Sequence, residues 1–445
     1  DNDEVPDVSI WNRLCNLRQY DLKYYDDIIE KIVRGEKIEY VPTEYKVYER
    51  EESSEKVRRL VSLSAKDRVI TTNLALRLCS KMKINWKSFS YHISYTSQER
   101  IFYYWYSSWG KFIDHIRVFT EIPFMDNYEA FYIDLKGFYD HIDFVSVFRS
   151  FENFLDEETK NIFVFLTEFN DILMKKLQNG RRIGVPQGPA YARIIAEMFL
   201  NQLLESMCQQ FKNSGFYMYR YVDDIVFFCE PDFDGKAMYD YLIGTLPSAG
   251  LPINYDKTKY FGKISSINDE DRRELLHQDS FNYELKENEY TGILVEEERR
   301  KKLKNYLMKN PFNVGSLGYI FGTNTFSEAQ SWCLDYYRED ILKSCNGRGS
   351  NFRKFYEFLF KNERYMKLIL DNEELELISL DSLNFSNFVH SLYYAVQDHV
   401  IAPSLFERIK HEYIEKLFDT KMKKDDEIII NALRLITAEV SDEKA

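Results

Sequence analysis

The sequence predicts an α+β fold continued by an all-α C-terminal region, and three observations carry that prediction. Short β-branched and aromatic runs alternate with long amphipathic segments in the middle of the chain; acids punctuate the ends of those runs; and residues 351–440 hold helix-like segments almost exclusively. With 445 residues, 44% hydrophobic and 29% charged, the chain has an ordinary globular balance and, at roughly 100–200 residues per domain, material for two to four domains.

In chain order, the first feature is a charge cluster. Between Arg58 and Ser88 stand Arg58, Arg59, Lys66, Arg68, Arg77, Lys81, Lys83 and Lys87 against the single acid Asp67, a local net of +7 in a chain of formal charge −13. Val57, Leu60, Val61, Leu63, Val69 and Ile70 alternate with these charges, so the cluster belongs to a folded surface; alone, such a cluster is usually a solvated face. Residues 130–135, rich in aromatic and β-branched side chains, read as a short buried strand ending at an acid. Residues 144–155 and 157–177 read as amphipathic helices, and 190–210 as a strong helix with apolar residues at three-and-four spacing. Residues 216–228 form two strand-like runs with Val222-Asp223-Asp224 near their junction, the pattern of a hairpin presenting acids at its tip. A loop at 247–250 precedes another short strand. Residues 296–304 open a basic helix, and the C-terminal helices have similar lengths, as helical-hairpin repeats would, although no residue-level period supports repetition.

Composition excludes several classes. No apolar run approaches the ~18 residues of a membrane helix, so no membrane association is expected. The chain opens Asp-Asn-Asp-Glu-Val-Pro, without a basic start or apolar core, so no secretory signal is expected there, and the absence of an initial Met points to a piece of a longer chain. Cys15, Cys79, Cys208, Cys229, Cys333 and Cys345 are scattered without a CxxC pair, which predicts neither a disulfide framework nor a zinc site and makes the cytoplasm the expected compartment. The acidic total, taken by itself, disfavours nucleic acid as a partner.

Three separated segments carry the chemistry. Asp134-Leu-Lys-Gly-Phe-Tyr-Asp-His-Ile-Asp143 places an acid at a strand end; Gly184-Val-Pro-Gln-Gly188 is a tight turn entering a helix; Tyr221-Val-Asp-Asp224 places paired acids at a hairpin tip. Singly, these are a helix cap, a turn and turn chemistry. Jointly, they supply what nucleotidyl transfer by two metals needs: carboxylates for Mg²⁺ ions, the rest of whose coordination comes from substrate phosphates and water. Acids leaving such hydrophobic strands are costly unless paired or metal-bound.

In this order and spacing the segments resemble motifs A, B and C of reverse transcriptases. The resemblance extends to a motif D-like Gly250-Leu-Pro-Ile-Asn-Tyr-Asp-Lys-Thr258, a motif E-like Tyr290-Thr-Gly292, and a fingers-like Arg58-Arg-Leu-Val-Ser-Leu-Ser-Ala-Lys-Asp-Arg-Val69. It implies a right-hand polymerase: N-terminal segment and fingers over 1–120, palm over 121–293, short thumb over 294–345 and an α-helical domain over 346–445. It also implies that Asp134, with Leu135 beside it, Asp223 and Asp224 hold two Mg²⁺, with Mn²⁺ as a substitute. Tyr139 would close against the sugar 2′ position and favour dNTPs, and Gln187 and Gly188 would line the nucleotide pocket. Lys257 would lie near the triphosphate; Arg58, Arg59, Lys66 and Arg68 are phosphate candidates among which the sequence does not choose.

Two departures narrow the resemblance. The fingers segment has Ser62-Leu-Ser-Ala-Lys66 in place of the usual Ile-Pro-Lys. The helix after motif B, Pro189-Ala-Tyr-Ala-Arg-Ile-Ile-Ala-Glu197, is similar to that of bacterial defence-associated (abortive-infection) reverse transcriptases, which also append a helical domain. That likeness implies antiphage defence, priming from a tyrosine hydroxyl, and synthesis with little or no template; the helical array, an extended surface for partners, points to a homo-oligomer. Among 33 tyrosines, including Tyr365, Tyr393, Tyr394 and Tyr413, the sequence selects no primer. Two alternatives stand beside this reading: a reverse transcriptase copying a dedicated non-coding RNA, and a non-catalytic RNA-binding scaffold in a defence assembly.

Overall fold

The computed structural model describes residues 14, 17–43, 45–53, 56–82, 88–93, 101–103, 105–152, 155–177, 183–211, 215–277, 321, 327–344, 352–378 and 383–414. The chain divides into two compact units, Gln19–Glu44 with Lys66–Ser280, and Tyr45–Ala65 with Phe281–Ala445. The motif E-like residues, the basic helix at 296–304, Lys83 and Lys87 lie outside the described residues.

The first unit is built on an antiparallel sheet. Its strands are β3 (Glu129–Asp134), β4 (Phe216–Tyr221), β5 (Asp224–Cys229) and β6 (Lys259–Lys263), in the order β4-β5-β3-β6; β1 (Lys46–Ser53) and β2 (Lys56–Ser62) form a separate hairpin in the second unit. The strands expected at 130–135 and within 216–228 are therefore present. Both central strands are buried on both faces, which is why they read as nearly continuous apolar runs and not as an alternation. On one face, Phe228 stacks on Phe119 at 4.2 Å; on the other, Phe131 stacks on Phe227 at 4.6 Å.

The helices of this unit are α1 (Gln19–Val33), α2 (Ala65–Met82), α3 (Trp105–Glu121), α4 (Phe144–Phe151), α5 (Glu157–Leu177), α6 (Ala190–Cys208), α7 (Gly235–Thr245) and α8 (Asp269–Leu275); α3 packs on β4, and α7 on β3 and β6. Helix α3 brings Phe112, Ile116 and Phe119 to the core that holds Tyr132 and Phe228. The helix expected at 144–155 ends earlier, at Phe151. Asp156 accepts from Thr159 N at 2.8 Å and starts α5 instead, so a local cap outweighs apolar periodicity. Helix α6 is buried along almost its whole length, since Ala, Ile, Leu and Met side chains make it apolar around most of its circumference.

Among its described residues, the C-terminal part of the second unit is helical: α9 (Ser327–Ser344), α10 (Phe352–Lys361), α11 (Glu363–Asp371), α12 (Leu383–Gln397) and α13 (Pro403–Ile409). Tyr356, Leu359, Met366, Ile369, Phe388 and Ile409 lie at the centre of its own apolar core. Cys79, Cys229 and Cys333 are buried free thiols, and Cys208 is buried as well. No helix among the described residues is long and apolar enough to cross a membrane.

Candidate active site

Pairing of β3 with β5 sets Asp134 directly across from Asp224, and pairing of β4 with β5 sets Tyr221 across from Asp224. Only Val222 and Asp223 are left to turn the hairpin. A turn this tight needs positive φ at its first residue, a place that favours glycine, yet Val222 occupies it at φ 54. For a β-branched residue that is a strained conformation, and it persists because the surroundings hold it. Val222 N donates to Ser90 Oγ at 2.9 Å, and Val222 O accepts from Arg220 Nη1 at 2.7 Å.

The carboxylates are held before any substrate arrives. Asp134 is buried, accepts from Asn254 Nδ2 at 2.7 Å, and its carbonyl accepts from Asn254 N at 2.9 Å. The Tyr132 hydroxyl reaches both acids, donating to Asp224 and lying 3.4 Å from Asp134 Oδ1. Burial, then the neighbouring Asp224 and Asp134 carboxylates, holds the Tyr132 phenol well above its ordinary range, so it stays a donor. Behind Tyr132, His277 is enclosed by Trp109, Phe112 and Tyr132, with ring centroids 5.2, 6.0 and 5.3 Å away. Burial, helped by Lys257, lowers its pKa to about 4, so the imidazole is neutral at pH 7.

Two carboxylates converging on one neutral hydroxyl suit a hard divalent cation, which supplies the countercharge that a phenol dipole lacks. Among the described residues, no three His, Cys, Asp or Glu side chains are grouped closely enough to hold a metal ion by themselves. Leu135 is buried and bridges to Ile253, so a ligand from it is its backbone carbonyl.

The Gly184–Gly188 turn is sewn to the segment after Asp134. Val185 N donates to Tyr139 O and Gly184 N to Ile142 O, each at 2.9 Å. Gly184, at φ 100, comes so close to Asp140 that a Cβ would stand 3.0 Å from its carbonyl oxygen, so no other residue fits easily. Tyr139 is thus brought beside the turn that carries Gln187, half-buried, and Gly188, at φ 119. Its hydroxyl donates to the Tyr91 hydroxyl at 3.2 Å.

The basic candidates are dispersed. Lys257 is exposed on the turn that follows Asn254. Lys66, on α2, contacts Val41 O at 3.5 Å and lies 4.6 Å over the Tyr40 ring, whereas Arg68 is buried. Arg58 and Arg59 are on β2, in the second unit.

Sequence reading missed the buried support. Arg220 and Glu197, 0% and 1% exposed, pair at 2.5 Å, and Asn201 accepts from Arg220 Nη2 at 2.6 Å. Its signal was present: Arg193, Glu197 and Asn201 make a polar stripe at i, i+4, i+8 on an otherwise apolar helix, and Arg220 interrupts an apolar strand.

No curated protein matches the chain in sequence. Among solved structures it is similar to telomerase from Candida albicans in complex with a fragment of telomeric RNA (15% identity, 93% of this chain and 69% of that one, TM-score 0.33). Telomerase from Candida tropicalis is similar at 12% identity, over 95% of this chain and 67% of that one, with TM-score 0.37. Both likenesses are too remote to carry an argument. The model of the family Reverse transcriptase (RNA-dependent DNA polymerase), by contrast, matches residues 51–293, more than half of the chain. The protein therefore belongs to the reverse transcriptase family, the RNA-dependent DNA polymerases.

Proposed function

We propose that this reverse transcriptase serves bacterial antiphage defence, polymerising dNTPs with Mg²⁺ held by Asp134, Asp223 and Asp224. The observation that carries the polymerase site is the register of Asp134 against Asp224, with Asp223 on the adjoining turn. Bound there, two cations would supply activation of the attacking hydroxyl and charge neutralisation on the leaving pyrophosphate. Asn254 and Tyr132 orient the acids, so little reorganisation accompanies binding. Tyr139 fills the space beside the sugar 2′ position and excludes a hydroxyl there; Gln187 and Gly188 line the pocket on the other side. Exposed Lys257 meets the triphosphate, with Lys66 and Arg68 of the same unit as further candidates for phosphate contact; Arg58 and Arg59 remain candidates on the second unit.

The defence role rests on the residues after motif B, Pro189 to Glu197, and on the helical region at the C-terminal end. In this reading a tyrosine hydroxyl starts the product strand. Tyr365 and Tyr413 are buried, and burial pushes the Tyr413 phenol up; Tyr394, 38% exposed, is the accessible one of the four tyrosines named. The family's RNA-dependent chemistry favours a second reading, copying of a dedicated non-coding RNA.

The test is incubation of purified protein with each labelled dNTP and Mg²⁺, with and without co-purifying RNA, followed by product sequencing. Product that stays on the protein through denaturation, and leaves as a peptide conjugate after proteolysis, supports priming; free product contradicts it. Product complementary to the RNA establishes the second reading. A chain whose antiphage protection survives Asp223→Ala with Asp224→Ala would be a scaffold instead.

A further inference from the structure

Residues Ser88–Tyr91 make a short strap with contacts in two directions. Toward the hairpin, Phe89 N donates to Arg220 O at 2.8 Å, Ser88 Oγ lies 3.2 Å from the same carbonyl, and Ser90 Oγ accepts from Val222 N at 2.9 Å. Ser90 Oγ in turn donates to buried Glu197 Oε1 at 2.6 Å, so one hydroxyl joins the strained turn to helix α6. Toward the sugar side, the next residue, Tyr91, accepts from the Tyr139 hydroxyl at 3.2 Å, and the Arg193 guanidinium lies 5.2 Å over its ring.

Tyr91 and Val222 are two non-glycine residues with positive φ, at 52 and 54. Such strain persists only where the surroundings over-determine it, and it concentrates at functional sites. Here both strained residues lie on one bonded chain running from Tyr139 through Tyr91 and Ser90 to Val222, which adjoins Asp223.

We infer that the strap sets the position of the nucleotide sugar relative to the catalytic acids, with Tyr91 determining sugar specificity through Tyr139 and Ser90 positioning the acid turn through Val222. The inference rests on the proposed reading of Tyr139 as the residue facing the sugar. Ser90 is the residue common to both arms: its backbone carries Tyr91, and its hydroxyl holds Val222 in place. Losing that hydroxyl leaves the Val222 N–H and a Glu197 oxygen without it, so the turn can relax while the nucleotide pocket stays intact.

Single-nucleotide incorporation of dNTP and rNTP by the full chain tests this, with thermal melting recorded for each variant. Tyr91→Phe is expected to lower the ratio of dNTP to rNTP kcat/KM about tenfold, the scale of one lost hydrogen bond. Ser90→Ala is expected to lower kcat for dNTP about tenfold or more with KM near the parent value, and Ser90→Thr to restore most of it. Both variants within twofold of the parent, while Tyr139→Ala relaxes sugar selection, would overturn the strap and leave the reading of Tyr139 standing. Unchanged selectivity in Tyr139→Ala would overturn that reading and the Tyr91 role, and Ser90→Ala then decides the acid-turn role alone. Should Ser90→Ala fail to fold, Tyr91→Phe, which removes one hydroxyl from a half-buried ring, decides the proposal.

Discussion

At Asp134 and Asp224 the chain gathers negative charge and steadies it with neutral donors, and Asp223 adjoins them on the turn. Under the proposed mechanism these acids supply metal-dependent stabilisation of several kcal/mol, so replacing Asp223 with Ala should slow nucleotide incorporation roughly a thousandfold or more. The check is steady-state kinetics beside a melting curve, because a variant that melts like the parent and polymerises normally would exclude Asp223. His277 gives a prediction of another kind. Its folded pKa, about 4, lies below the ordinary 6.5, so the unfolded chain binds more protons between these values. The stability it contributes is complete above pH 6.5 and is lost as pH falls toward 4, by up to about 3 kcal/mol. Denaturant titrations across that window should show the loss, and His277→Phe should flatten it. Among single residues, the acids were legible because their types and spacing are those of the chemistry. Tyr132 and Ser90 were not: an aromatic in a strand and a serine in a short irregular segment carry no periodic signal, and their roles exist only once distant segments meet.

Helix α6 and strand β4 show the same division between elements. Both were readable, α6 from its apolar residues and breaker-free length, β4 from its aromatic content. Their union through Glu197 and Arg220 was not, since buried charges on two elements reveal a pair only when the elements pack. Removing one partner of so buried a pair leaves an uncompensated charge: Glu197→Leu should cost about 3–5 kcal/mol of stability. Pairing it with Arg220→Met should recover most of that loss, because well-packed apolar side chains of similar volume often replace such pairs without penalty. Polymerisation should stay slow in the double variant, because Val222 O has lost its Arg220 donor. Calorimetry and kinetics on the same preparations separate these two effects; full activity in the double variant would show that the turn holds itself. The register of β3 against β5 was likewise beyond sequence. A hairpin tip that presents acids was foreseen, but which acid faces Asp134 depends on a two-residue turn with a valine in a conformation that β-branched side chains avoid.

For the whole molecule, total charge is a poor guide and its distribution a better one. A net of −13 coexists with the basic stretch from Arg58, part of it on β2 in one unit and part on α2 in the other. Nucleic acid binding by this family member should therefore be confined and electrostatic. Anisotropy titrations with a primer–template duplex should show affinity falling linearly in logarithmic salt, with a slope set by the few phosphates contacted, about 0.7–0.9 per contact. A salt-independent affinity would contradict that picture. The central claim, that the acids at the β3–β5 junction polymerise deoxynucleotides, has one direct test: labelled dNTP and Mg²⁺ given to the parent chain and to Asp223→Ala with Asp224→Ala, with extended product resolved by size. The account predicts extension by the parent, none by the variant, and equal melting temperatures; extension by both, or by neither under conditions where the parent is folded and RNA-loaded, would contradict it.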